Sequence, residues 1–286
     1  MDIISAIIMG ILLGGLYALI ALGLSMVFGV MRLINLAHGD LVILGSYLSF
    51  TLLTRFGIDP IISLLLTVPV MFGLGFFIQK VLLSRAAAIS DEAPLIIAFG
   101  LALIIQNSIQ IITDPQSRGI STAYSMASFS LGGLQFPVIY LMNFMAALII
   151  MVIFNIFLKK TYMGRAITAA SQNRKAAQLM GINTKNIYGF AFAIAMISAA
   201  IAGAFLGMTF PFRPASGTQF LIIAFGVVII GGLGSLFGTF LGGVILGLVQ
   251  TLAGYFFGSA AQMLFVYTAI ILVLALRPRG LLDDNG

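Results

Sequence analysis

The sequence predicts an all-α integral membrane protein, a bundle of eight or nine transmembrane helices that includes broken or re-entrant segments. Hydrophobic residues occupy 61% of the 286 positions and the mean hydropathy is +1.17, whereas soluble domains are about 45–50% apolar. Only 8% of the residues are charged. Apolar runs of about 20 residues, enough to cross a hydrocarbon layer about 30 Å thick, follow one another along the chain. We therefore predict that residues 1–286 form a single transmembrane domain.

The transmembrane segments are placed by the apolar runs and the residues that interrupt them. Spans are predicted at 3–30, 41–54, 60–80, 94–113, 138–158, 188–210 and 260–276. The glycine-rich stretch 219–257 is long enough for two crossings with a break at "GGLGS", 231–235, so the count stays at eight or nine. No internal repeat is evident, although glycine-rich runs near both ends leave room for weak symmetry.

Lysine and arginine set the predicted orientation. The loop 159–187 carries six basic residues and no acid between Lys159 and Lys185, and basic loops favour the cytoplasmic side. Counting spans from this loop places the N-terminus outside and the tail "RPRGLLDDNG" inside. The opening "MDIISAIIMG" lacks the basic region of a signal peptide, so the first helix is expected to be retained.

Composition disfavours several classes of function. The net charge of +6 forms no continuous basic face, so no nucleic-acid partner is expected. Cysteine is absent, and the lone His38 offers too few ligands for a metal. Ser25 lies within an apolar helix, roughly 20 Å from His38 if that helix continues, which disfavours a serine hydrolase. With no G-x-x-x-x-G-K-[ST] motif, the chain is not expected to hydrolyse ATP itself.

The basic loop predicts a cytoplasmic helix. From Gly164 to Met180 it reads as one helix, with Gly181 as its left-handed cap and Asn183 or Thr184 starting the next. Small apolar residues recur at three- and four-residue steps and would share one face open to another protein: Ala166, Ala169, Ala170, Ala177 and Met180. The alternative is that the loop is only a topology signal.

Motifs in and around this loop resemble a known family. "RKAAQLMGIN", 174–183, resembles the EAA---G loop of ABC-importer permeases, which forms the coupling helix that docks on the cytoplasmic ATPase. Lys175 replaces the family's glutamate, and the later I-x-L-P element is missing. Three stretches resemble the LivH-type permease of branched-chain amino acid ABC importers: "LYALIALGLSMVFGVMRLINLAHGDLVILGSYLSF" (16–50), "MGRAITAASQNRKAAQLMGINTKNIYGFAFAIAMISAAIAGAFLG" (163–207) and "FGVVIIGGLGSLFGTFLGGVILG" (225–247).

This resemblance implies a non-enzymatic permease subunit of the bacterial inner membrane. It implies a second, LivM-like permease subunit, two ATP-binding subunits that hold ATP and Mg²⁺, and a solute-binding protein that docks outside on 114–137 and 210–214. No cofactor is expected in this chain. The residues it implies for coupling are Gly164, Arg165, Ala169, Ala170, Asn173, Ala176, Ala177 and Gly181. The alternatives are an importer of urea, short amides or sugars, and a stand-alone transporter or channel, which the carboxylates at loops and span ends disfavour.

Three groups of residues interrupt the apolar spans. "INLAHGD", 34–40, is either a re-entrant bend near the translocation path or its gate, or a turn in which side chains cap a helix beginning at Leu41. The members are Asn35, His38, Gly39 and Asp40, with His38 and Asp40 as the capping residues. Gly231, Gly232 and Gly234 either pack helices closely or interrupt one beside the path. The amides of Gln106, Asn107 and Gln110 share one helix face, and we expect them to tie helices together rather than contact solute.

Overall fold

The computed structural model describes residues 2–31, 33–90, 92–131, 134–277 and 280. The helices are α1 Ile3–Met31, α2 His38–Phe56, α3 Pro60–Phe77, α4 Ser84–Ala86, α5 Ala93–Thr113, α6 Ala123–Met126, α7 Val138–Lys160, α8 Tyr162–Gln172, α9 Arg174–Leu179, α10 Thr184–Thr209, α11 Gly217–Gly231, α12 Leu236–Phe257 and α13 Gln262–Leu276. A π-helical segment, Ile78–Leu83, joins α3 to α4, and short 3-10 turns, Pro214–Ser216 and Ser259–Ala261, precede α11 and α13. Strands β1 Ser128–Leu131 and β2 Leu134–Pro137 pair antiparallel.

The all-α membrane bundle is confirmed. In the part of the chain described here, eight helical segments are long and apolar enough to cross a membrane. The predicted span at 41–54 corresponds to α2, which is not among the eight because His38, Asp40 and Arg55 make it more polar. The stretch 219–257 forms two helices, α11 and α12, with the predicted break between them. Most of the tail "RPRGLLDDNG" lies outside the described residues.

Two long helices, α1 and α10, form the centre of the bundle. They are buried over most of their surface because small residues let the backbones approach each other. A Cβ built on Gly23 of α1 would lie only 2.7 Å from the carbonyl oxygen of Ala195 in the middle of α10. The Ser198 hydroxyl of α10 donates a 2.8 Å hydrogen bond to the Leu19 carbonyl of α1. The two helices therefore cross near their midpoints.

The bundle has two ends that differ in structure. The loop end contains α8, α9, the end of α1 and the turn between α11 and α12; a Cβ on Gly280 would contact Gly232 there. The hairpin end contains the start of α1, the β1–β2 hairpin and the segment 210–216. The chain therefore starts at the hairpin end, and Gly280 lies at the loop end.

Two helices begin inside the bundle rather than at its surface. After α1 the chain turns back, and α2 starts at His38, whose ring Nε2–H donates a 2.8 Å hydrogen bond to the Ile20 carbonyl in the middle of α1. The first residue of α11, Gly217, contacts Gly39 and Asp40 so closely that a Cβ on Gly217 would overlap the Asp40 carboxylate. The N-termini of α2 and α11 therefore meet at mid-bundle.

The two halves of the bundle repeat one arrangement in opposite orientations. Helix α12 packs along α1 in one half, and α3 packs along α10 in the other. In the same way, α11 packs beside α1 and α2 packs beside α10. The outer helix α5 packs on α2, and its counterpart α13 packs on α11. Because α1 and α10 cross in opposite directions, the halves form an inverted repeat, as in many membrane transporters. The repeat was not predicted, because its trace in the sequence is short: Ala37-His38-Gly39-Asp40 in one half and Ala215-Ser216-Gly217-Thr218 in the other.

Candidate functional site

The basic loop at the loop end forms two helices, so the prediction of one helix from Gly164 to Met180 is wrong. The break is at Asn173, whose backbone is extended (φ −148°, ψ 100°). Its side-chain oxygen accepts a 3.0 Å hydrogen bond from the Ala176 amide and so caps α9. An asparagine within an alanine-rich stretch favours a cap over continued helix because its side chain competes for backbone groups. The Thr161 hydroxyl caps α8 in the same way, through the Gly164 amide at 2.9 Å.

The alanine face is not open to a partner, which corrects a second prediction. Ala166, Ala170 and Ala177 are buried in a small cluster with Val30 of α1 and Ala191 of α10. Ala169 is only half-buried, and Met180 is 83% exposed, so neither joins these three in the cluster. The alanines therefore hold α8 and α9 against the bundle. The capping predictions are confirmed: Gly181 has φ 81°, and Asn183 accepts a hydrogen bond from the Asn186 amide at the start of α10.

The surface that the loop does expose is the end of α9. Leu179 is 88% and Met180 83% exposed, although both are large apolar side chains in a polar loop. They are surrounded by exposed residues, and we call this set the α9 tip: Arg174, Lys175, Ala176, Leu179 and Met180. The Arg174 guanidinium lies 5.8 Å from the centre of the Tyr188 ring, and the Tyr188 hydroxyl donates to the Ala170 carbonyl at 3.2 Å. These contacts fix α9 on α8 and α10, so the tip is a rigid, partly apolar projection.

The "INLAHGD" residues lie inside the bundle as a re-entrant turn. Asn35, His38, Gly39 and Asp40 are all buried, and the Asn35 side chain accepts a 3.1 Å hydrogen bond from the Ala37 amide. The alternative in which His38 and Asp40 cap a helix beginning at Leu41 is wrong, because α2 already begins at His38 and no side chain caps it. The Asp40 carboxyl group lies where the N-terminal ends of α2 and α11 meet.

The re-entrant turn also corrects the predicted separation of Ser25 and His38. Because α1 ends and the chain turns back, the His38 ring carbon Cε1 lies 3.1 Å from a Cβ built on Gly23, two residues from Ser25. The groups are nevertheless engaged elsewhere. The Ser25 hydroxyl accepts a 2.7 Å hydrogen bond from Thr239 of α12, and His38 donates to the Ile20 carbonyl. The pair therefore connects helices and has no arrangement for nucleophilic catalysis.

Two of the three amides of α5 point away from the bundle. Helix α5 packs through a stripe of buried residues: Pro94, Ala98, Ala102, Ile105 and Ile109. Asn107 and Gln110 are exposed and Gln106 is half-buried. The Asn107 side chain donates a 2.8 Å hydrogen bond to the Leu103 carbonyl of its own helix. The expectation that Asn107 ties α5 to a neighbouring helix is therefore wrong for the isolated chain.

Two further polar residues, which were not predicted from the sequence, lie on the same side of the molecule. Thr218 and Gln219 are exposed in the first turn of α11, which begins at mid-bundle. Helix α5 packs against the Pro214–Ser216 turn that leads into α11, so the two sets share one side of the bundle. We call them the polar face: Gln106, Asn107, Gln110, Thr218 and Gln219. The sequence feature that could have identified Thr218 and Gln219 is a pair of polar residues at the start of an apolar run.

The glycines at 231–234 form a tight turn at the loop end. Gly232 and Gly234 have φ angles of 95° and 88°, which favour glycine, and a Cβ on Gly29 of α1 would lie 3.0 Å from the Gly234 Cα. Gly231 packs against Gly238 where α11 and α12 diverge. The break thus connects two antiparallel helices rather than interrupting a crossing at mid-membrane.

The segment 114–137 at the hairpin end is tied to the bundle. The Tyr124 hydroxyl donates to both carboxylate oxygens of Asp59 at 3.0 Å, and Asp59 accepts from the Ile61 amide at the start of α3. Burial and the Asp59 carboxylate raise the pKa of Tyr124 to about 12, which keeps its hydroxyl protonated as the donor. Arg118 and Phe212 exchange two backbone hydrogen bonds of 2.8 Å. Arg118 is therefore held against the segment 210–216, and Tyr124 against the start of α3.

Comparisons with known proteins give a consistent result. The sequence model of the family described as "Branched-chain amino acid transport system / permease component" matches residues 6–275. The chain is 31% identical to the high-affinity branched-chain amino acid transport system permease protein BraD of Pseudomonas aeruginosa, and 30% identical to the corresponding LivH protein of Escherichia coli. Both alignments cover 96% of this chain and 93% of the relative. The ribose import permease protein RbsC of Bacillus subtilis is 26% identical, over 86% of this chain and 76% of its own.

Proposed function

The chain belongs to the branched-chain amino acid permease family and is a permease subunit of an ABC importer, and on that premise we propose that it carries branched-chain, hydrophobic amino acids. It is a multi-pass inner-membrane protein and a non-enzymatic transport subunit. The observation that carries the proposed substrate is the 30–31% identity to branched-chain amino acid permeases over almost the whole chain.

Uptake by intact cells tests this substrate. In the native host, deletion of the gene for this chain should reduce uptake of radiolabelled leucine, isoleucine and valine at least about tenfold, and a plasmid copy should restore it. The similarity to the ribose permease favours a sugar as the second candidate, and urea and short amides are included in the assay. If sugar or amide uptake falls and leucine uptake does not, the proposed substrate is wrong.

We infer that ATP is bound and hydrolysed, with Mg²⁺, by two partner subunits that dock at the loop end. The α9 tip supports this, because two large apolar side chains exposed in a basic loop need a covering surface. The six basic residues of the loop favour the cytoplasmic side, where ATP is available. The N-terminus would then be outside and Gly280 inside. The chain itself would hold no cofactor.

A second, LivM-like permease subunit is proposed to pack on the side of the molecule that carries the polar face. Asn107 lies six residues before the end of α5, which is about 9 Å along the helix. Its amide is therefore within the hydrocarbon layer, where lipid offers no hydrogen bonds and exposed polar groups are costly. If a pathway runs between the two permeases, water and solute within it would instead contact these amides. A solute-binding protein would then dock at the hairpin end, on 114–137 and 210–216.

Cysteine accessibility tests the exposure of the polar face to water. The sequence contains no cysteine, so Asn107→Cys and Ile104→Cys each introduce a single thiol. Both positions are exposed at similar depth on α5, but Ile104 lies outside the polar face. In native membranes a hydrophilic thiol reagent should label Asn107→Cys at least about tenfold faster, because thiols ionise in water and not in lipid. Equally slow labelling of both would rule out an aqueous path along this face.

A further inference from the structure

A large cavity lies at the loop end, beside the surface proposed for ATPase docking. Its volume is about 630 Å³, and it lies between the end of α7, helix α8 and the start of α12. This volume is in the range of ligand sites, about 300–1,000 Å³. It does not include the α9 tip or the polar face.

The polar part of the cavity is suited to an anion. Lys159 at the end of α7 and Arg165 on α8 both line it, together with the amides of Asn155 and Gln172. The described residues that line the cavity include no acid, and the loop from Lys159 to Lys185 contains none. Two cations and two amides can donate several hydrogen bonds to one group with several acceptor oxygens, such as a phosphate.

Most of the remaining cavity lining is apolar and adjoins exposed apolar residues of α7. Met151, Leu158, Leu236 and Phe237 line it, and Phe237 is 61% exposed. Along the adjoining surface of α7, Val152 and Ile156 are 43% and 48% exposed. A ligand that matches both the polar and the apolar lining residues is therefore amphiphilic, with an anionic head at the bundle end and hydrocarbon along α7.

We propose that this cavity binds the headgroup of an anionic phospholipid. Lys159 and Arg165 hold the phosphate, and the acyl chains lie along α7. Basic pockets between helices at the cytoplasmic boundary recognise such headgroups, so the inference rests on the orientation proposed above. The bound lipid would contact α8 through Arg165 and Gln172, and so would steady the helix on which the α9 tip is mounted.

Lipid binding by the full-length purified protein tests this proposal. Native mass spectrometry would compare phosphatidylglycerol with phosphatidylcholine, with inorganic phosphate as a competitor. The double variant Lys159→Gln/Arg165→Gln should lose phosphatidylglycerol binding at least about tenfold. The matched control Lys80→Gln/Arg85→Gln removes the same charge from exposed residues outside the cavity and should retain it. Lys159→Arg/Arg165→Lys keeps both charges and should bind normally.

Three outcomes would overturn the proposal. Equal loss in the two glutamine variants would mean that overall charge attracts the lipid. Equal binding of both lipids would mean that the cavity does not recognise an anion. Complete competition by inorganic phosphate would indicate a site for free phosphate instead. Because the assay needs neither uptake nor ATPase subunits, its failure would leave the proposed amino acid transport intact, and a failed uptake test would leave the lipid site intact.

Discussion

Replacing Leu179 and Met180 by aspartate should abolish uptake while the bundle stays folded. Both side chains are more than four-fifths exposed in the isolated chain, so their loss removes almost no internal packing. In a docked complex each would be a buried apolar anchor, and such anchors contribute about 2 kcal/mol or more. Losing about 4 kcal/mol weakens binding roughly 1,000-fold. The added charges would also meet the apolar surface that covers the tip.

Copurification and uptake measured together separate docking from folding. The tagged chain should recover its ATPase subunits from detergent, and the Leu179→Asp/Met180→Asp variant should recover the second permease without them. Ile89→Asp is the control, since Ile89 is 81% exposed at the same end of the bundle in a different loop. Normal uptake and normal ATPase recovery by the double variant would show that the α9 tip is not the docking surface.

Gly217→Ala should have the largest effect on folding. A Cβ at this position would overlap the Asp40 carboxylate and lie 2.9 Å from the Asp40 amide nitrogen. The N-termini of α2 and α11 would have to separate, and Asp40, which is only 4% exposed, would lose its position between them. Overpacking a tight core costs about 1–3 kcal/mol, and displacing a buried carboxyl group adds to that cost.

The thermal unfolding midpoint of the purified protein measures this effect. Gly100→Ala is the matched control, because Gly100 is also helical and a Cβ there would have nothing within 4 Å. We expect Gly217→Ala to lower the midpoint by several degrees or to prevent recovery of folded protein, and Gly100→Ala to leave it unchanged or slightly raise it. Equal midpoints for the two variants would mean that α2 and α11 do not meet closely.

The parts of the fold that local sequence determines could be predicted. Apolar runs located the crossings because the lipid requires a continuous apolar stretch. Gly181 and Asn183 were identified as helix-end residues because their preferences are local: one favours positive φ and the other accepts a backbone hydrogen bond. The break at 232–235 was visible from its glycines for the same reason.

The wrong predictions concern which way a helix face turns and where distant segments meet, and a single sequence specifies neither. The three-and-four spacing showed that Ala166, Ala170 and Ala177 share a face, but not whether that face turns inward. Asn173 was placed within one continuous helix, although its extended backbone breaks that helix and its side chain caps α9. The depth of the re-entrant turn depends on the distant contact between Gly39 and Gly217, which are 178 positions apart (217 − 39).

The inverted repeat suggests how one fold can open to either side of the membrane. If the halves exchange conformations about the contact between Gly39 and Gly217, an opening on one side of the membrane becomes an equivalent opening on the other. The two shapes would then use the same sets of helix contacts, so their free energies need not differ greatly. Moving such an equilibrium from 1:99 to 99:1 takes about 5.5 kcal/mol of differential binding. If proteins bind the two ends as proposed, their binding energy would supply this difference, and the bundle itself would only have to keep the two shapes close in free energy.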